Sequence, residues 1–175
     1  LVYLDVMAGP GKCKLEDTGE EFAGSPLVAL DHEFDKYMFI ESDARLAEAL
    51  RTRIGQHAKA HRVTVYDDDW TTMAESGRLK FTPSQLVVAF VDPTGISQVP
   101  MSSMLCLANN PRVDLLVTIQ YRLGIVWNVH SYRQCKDNDT ALDRFLASSD
   151  WREWTHADPT EFGRRAIDRF CARMQ

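Results

Sequence analysis

Val2-Tyr3-Leu4-Asp5-Val6-Met7 runs directly into Ala8-Gly9-Pro10-Gly11, and this stretch decides how the rest of the chain reads. A short run of β-branched, aromatic and aliphatic side chains that stops at a glycine-proline turn is a buried strand delivered into a tight loop. Four further runs of this kind follow: Tyr37–Ile40, Arg62–Tyr66, Gln85–Val91 and Val113–Ile119.

Helical patterns lie between and after them. Ser25-Pro26 is a start signal, with serine as N-cap, proline in the first turn, and Leu27, Leu30 and Phe34 on the inner face. Leu46, Leu50 and Ile54 recur every four residues inside a helix over 43–57. Short helices fit 71–76 and 99–108, and two more, over 140–148 and 160–174, flank a turn around Trp151 and Trp154. Alternating strands and helices with nearly continuous apolar strands imply a mainly parallel α/β sheet covered on both faces, and right-handed crossovers make it doubly wound. No repeat or linker interrupts the pattern, so residues 1–175 read as a single domain.

Composition narrows the function classes. The 175 residues are 45% hydrophobic and 26% charged, enough for a real core, and 20 Lys and Arg against 25 Asp and Glu give a net charge of −5. That balance does not indicate a module held to nucleic acid by phosphate neutralisation, although a nucleic-acid acceptor is not excluded. No apolar stretch is long enough to span a membrane and no cleavable signal is visible. Cys13, Cys106, Cys135 and Cys171 are widely spaced, which reads as free thiols in a reducing cytoplasm. His32, His57, His61, His130 and His156 show no metal spacing, so no metal site is expected.

In an open α/β sheet a ligand lies beyond the carboxyl ends of the strands. Acids gather at those ends here: Asp5 before Ala8-Gly9-Pro10-Gly11, Glu41 after the second strand, Asp67 to Asp69 after the third, and Asp92-Pro93 after the fourth. Each has a local alternative. Asp5 can bond turn amides, Gly9 and Gly11 can simply supply φ > 0, Glu41 can belong to a helix cap, and the acidic triplet and Asp92-Pro93 can be solvated turns. Taken together they suit a ligand with a ribose, whose two hydroxyls an acid after the second strand can accept. Glu41 stands about 30 residues past Gly11, farther than the roughly 20 of a dinucleotide fingerprint, and Lys14 replaces its third glycine. A nucleoside cofactor without a pyrophosphate fits better than a nicotinamide dinucleotide, and S-adenosylmethionine is such a molecule.

The block 4–30, LDVMAGPGKCKLEDTGEEFAGSPLVAL, resembles the opening of the three-Cys-motif partner (TcmP) family, and FIESD, FVDPTG, VDLLVTI and LDRFLASSDWREW follow in that family's order. The resemblance implies a Rossmann-like class I methyltransferase fold with strand order 3-2-1-4-5, and S-adenosylmethionine as cofactor. It places the cofactor against Asp5, Ala8, Gly9, Pro10 and Gly11, its ribose on Glu41, its adenine near Asp68, and its methyl group and acceptor beside Asp92 and Pro93. It also implies a radical-SAM-like three-Cys protein as partner.

The chain departs from that pattern in three places. Met7 replaces a phenylalanine. Asp92-Pro93-Thr94-Gly95 lacks the second proline and the aromatic ring with which amino-group methyltransferases hold a flipped base. A loop of about 13 residues, from Lys12 to Gly24, separates the glycine turn from the helix at Ser25, and loops of that length are commonly functional or mobile. It is expected to be a lid or an acceptor-recognition element, with a solvated loop as the alternative. Trp127-Asn128-Val129-His130 reads as core or loop packing before it reads as pocket lining. The sixth and seventh strands of a class I methyltransferase sheet are missing, and Leu1 opens the chain, so it reads as truncated at both ends. Two functions remain: a methyltransferase, or a non-catalytic platform for the three-cysteine partner.

Overall fold

Tyr3 and Leu4 lie in β1 (Val2–Asp5) at the centre of a five-stranded sheet in the computed structural model, which describes residues 1–135, 137 and 139–175. These residues fall into two compact units, one made of 1–92 and 110–117, the other of 93–109 and 118–175.

In the first unit β1 is followed by a small hairpin, β2 (Lys12–Lys14) and β3 (Glu21–Ala23), and by α1 (Ser25–Leu30). Then come β4 (Lys36–Glu41), α2 (Ala44–Ile54), β5 (Val63–Asp67), α3 (Trp70–Glu75), β6 (Val87–Val91) and β7 (Val113–Val117). The sheet runs β5-β4-β1-β6-β7 and every neighbouring pair is parallel. All five carboxyl ends therefore share one edge of the sheet, with Asp5 opposite Phe39 and Phe90, and Glu41 opposite Asp67.

The core follows from the apolar runs. Leu4, Tyr37, Phe39, Ile40 and Leu50 are fully buried, each such side chain gaining about 1.5–3 kcal/mol by leaving water. Tyr3, Phe34 and Tyr37 form a ladder of tilted and edge-on rings with centroids 5.2 and 5.6 Å apart. The Tyr37 hydroxyl is satisfied by donating to the His32 carbonyl at 2.6 Å. α2 begins at Asp43, whose carboxylate accepts from Arg45 N (2.8 Å) and Leu46 N (3.4 Å), and it turns Ala47, Leu50 and Ile54 inward. Asp69 caps α3 in the same way through Thr72 N, at 2.9 Å. β7 is an edge strand, and its Leu116 is 58% exposed.

The second unit is helical: α4 (Met101–Ala108), a π-helical turn (Tyr121–Ile125), α5 (Val129–Gln134), α6 (Ala141–Leu146) and α7 (Pro159–Met174). Thr140 and Asp143 form a reciprocal capping box at the start of α6. Asp143 is buried and also accepts from Trp151 Nε1 (2.9 Å) and from the Arg152 guanidinium. Phe145 stacks on Phe170 at 4.4 Å, and Trp151 and Trp154 meet the edge of Phe162. The expected Trp-rich turn is a 3₁₀ segment, Asp150–Glu153.

Two local readings change. Ser25 lies inside α1 and the N-cap is Gly24, because the serine hydroxyl is taken by Asp5. The long loop read between Lys12 and Gly24 contains an antiparallel hairpin, β2 with β3, in which Cys13 lies opposite Phe22. Among the described residues no helix is long and apolar enough to cross a membrane.

Candidate functional site

Asp5 is fully buried at the end of β1. Its Oδ2 accepts the Ser25 hydroxyl at 2.6 Å and its Oδ1 accepts Met7 N–H at 3.3 Å. Burial pushes this carboxyl up to about 6; Asp92 and Glu41 add to the rise, while the bonds from Ser25 and Met7 oppose it.

The turn that follows is held from several sides. Gly9 and Gly11 have φ of 61° and 80°, a region that costs other residues energy. Ala8 N–H reaches the Ile40 carbonyl at 2.9 Å, and Gly24 N–H reaches the Gly11 carbonyl at 2.8 Å. The Pro10 carbonyl accepts from the Arg53 guanidinium. Gly9 N–H donates to Glu41 Oε2 at 2.8 Å, while Glu41 Oε1 takes Asp43 N–H at the same distance. Glu41 is the last residue of β4, one position inside the strand, and the cap role in that segment belongs to Asp43. Each carboxylate oxygen has two lone-pair sites, so these two bonds leave Glu41 room to accept two more. A Cβ built on Gly9 would meet no atom within 4 Å, so open space borders the turn beside that carboxylate.

Asp5, Ala8, Gly9, Pro10, Gly11 and Glu41 are thus brought into one constellation. Asp68 lies nearby in the fold, since its N–H donates to the Glu41 carbonyl at 3.2 Å, but its carboxylate pairs with Arg78 and accepts Asp69 N–H. The bond from Arg78, with the Asp69 amide second, holds it below the usual carboxylate range. Asp92 follows β6 and is exposed. Pro93 starts the second unit, where its carbonyl accepts from Gln120 Nε2 at 3.3 Å, and Thr94 gives both its amide and its hydroxyl to Gln98 Oε1.

No family model matches this chain. No curated protein is significantly similar to it.

Among the described residues no group of three or more His, Cys, Asp or Glu is placed to hold a metal ion. Trp127 is 68% exposed, which overturns its reading as a packing residue, whereas Val129 two positions on is buried. Sequence reasoning missed Ser25 as a partner of Asp5, although Gly24-Ser25-Pro26 was legible as a helix start. It also missed Arg53, whose contact with Pro10 spans 43 residues and leaves no local signal.

Proposed function

We propose that the first unit binds S-adenosylmethionine in a Rossmann-like, class I methyltransferase arrangement, and that the protein is a methyltransferase whose acceptor is unidentified. The observation that carries this reading is the 2.8 Å bond from Gly9 N–H to Glu41, which puts an acid with spare acceptor capacity against a glycine turn bordered by open space. Counted alone, the five parallel strands run 3-2-1-4-5, with β1 and β6 at the reversal point where α/β sheets take ligands. In this reading Glu41 accepts the ribose hydroxyls, the Ala8–Gly11 turn lets the ligand approach the backbone, and Asp5 fixes the turn from beneath. Asp68, whose carboxylate already pairs with Arg78, would stand near the adenine, and Asp92 and Pro93 would border the acceptor. The cofactor supplies an electrophilic methyl group, so the chain's own residues need only align donor and acceptor.

Calorimetry with S-adenosylmethionine and S-adenosylhomocysteine tests this. The wild-type chain should bind both, and Gly9→Arg and Glu41→Ala should each weaken binding about tenfold or more. A wild-type chain that binds neither refutes the proposal.

A second reading, a non-catalytic platform for a radical-SAM-like three-Cys protein, is favoured by one observation. The turn after β6 has no aromatic residue, and Thr94 spends its amide and hydroxyl on Gln98. Retained complex formation and cellular function after Gly9→Arg would select it.

A further inference from the structure

Arg53 and Leu50 lie three residues apart on α2 and address neighbouring residues of the glycine turn. The Arg53 guanidinium donates through Nη1 to the Pro10 carbonyl. A Cβ on Gly11 would come 2.8 Å from Leu50 Cδ1, so Leu50 fills the space beneath the next residue. One face of α2 therefore supports the turn twice, by a charge-assisted hydrogen bond and by packing. The bond fixes the Pro10–Gly11 peptide plane, since a carbonyl and the following N–H belong to one rigid unit. Rotating that plane would redirect the Gly11 N–H, which lies two residues from the Gly9 amide that holds Glu41.

Arg53 is half-buried. It lines a cavity of about 350 Å³ together with Ala23, Leu27, Asp31, Gln56 and His57. Asp31 of that lining is acidic, and Glu21 also feels the Arg53 charge: its carboxyl is lowered first by Lys12, with Lys14 and Arg53 contributing.

We infer that Arg53 is a positioning residue: it touches no ligand, and it holds the Pro10–Gly11 peptide in the orientation the nucleoside site requires. This rests on the cofactor reading above, and its test has an arm that does not. Amide hydrogen exchange over residues 8–12 and calorimetry with S-adenosylhomocysteine are measured on wild type, Arg53→Ala, Arg53→Lys and Glu21→Gln. Ethylguanidinium is then added to Arg53→Ala, because the cavity gives a small cation a path to the vacated position.

Arg53→Ala should speed exchange at Gly11 and weaken S-adenosylhomocysteine about tenfold, with Arg53→Lys intermediate and Glu21→Gln like wild type. Ethylguanidinium at millimolar concentration should restore both readouts, which a general loss of packing would not allow. Exchange in Arg53→Ala within about twofold of wild type, or no response to ethylguanidinium, overturns the inference. If wild type binds no S-adenosylhomocysteine the cofactor reading fails by itself, and the exchange arm still decides whether Arg53 holds the turn.

Discussion

Ser25 donates its hydroxyl to Asp5 at 2.6 Å, joining the start of α1 to the end of β1 across 20 residues of chain. The acid it meets is fully buried, and among the described residues its hydrogen-bond partners are that hydroxyl and the Met7 amide, with no cation paired to it. An ionised carboxylate in that position costs stability, and function is a reason to retain it.

Asp5→Asn should therefore stabilise the chain at neutral pH. Burial raises the carboxyl from 3.8 to about 6, so the folded state holds this proton more tightly than the unfolded state does. Its contribution is most favourable below about pH 4 and is lost as pH rises through 6, a cost on the order of 2–3 kcal/mol at pH 7.5. Urea unfolding at pH 5 and pH 7.5 should show the asparagine variant gaining on wild type as pH rises. A variant less stable than wild type at pH 7.5 contradicts the assignment.

Asp143 in the second unit should behave in the opposite way. Burial works to raise it, but bonds from Arg152, Thr140 and Trp151 outweigh burial and hold it well below the usual carboxylate range. Its stabilisation is full above the unfolded value of 3.8 and declines as pH falls below that. Asp143→Asn should cost about 2–4 kcal/mol at pH 7, and the gap to wild type should narrow toward pH 3 in the same unfolding measurement.

Gly11→Ala and Gly9→Ala separate strain from crowding. Both positions have positive φ, but a Cβ on Gly11 strikes Leu50 while one on Gly9 meets nothing. Gly9→Ala should cost about 1–2 kcal/mol in thermal unfolding, and Gly11→Ala more. Adding Leu50→Val to Gly11→Ala should recover part of the difference, and additive losses would count against the contact.

The hairpin 12–23 should be removable. Its two feet meet at the 2.8 Å bond from Gly24 N–H to the Gly11 carbonyl, and all its residues are exposed. Joining Gly11 directly to Gly24 should leave the circular dichroism spectrum intact and the melting temperature within about 5 °C of wild type. An unfolded product would show that the sheet depends on it.

The sheet was legible because its strands are nearly continuous apolar runs, and Tyr37–Ile40 and Gln85–Val91 match β4 and β6 within a residue or two. The acids at the strand ends were legible for the same reason, since a charge closing an apolar run is visible locally. What they touch was not. Asp68 and Asp69 stand side by side in an acidic triplet, yet one pairs with Arg78 and the other caps α3. Only the folded chain separates those roles. The hairpin was hidden because its strands, Lys12-Cys13-Lys14 and Glu21-Phe22-Ala23, are three residues each, too short for an alternation to register.

β7 carries a liability of a different kind. Asp114 and Leu116 lie two residues apart on one face of an edge strand, so its only charged side chain is next to its most exposed leucine. A charge at that place on an edge strand opposes intermolecular strand addition. With that charge neutralised, as in Asp114→Asn, the run from Val113 to Ile119 should pair more readily between molecules, and the chain should precipitate sooner from concentrated solution.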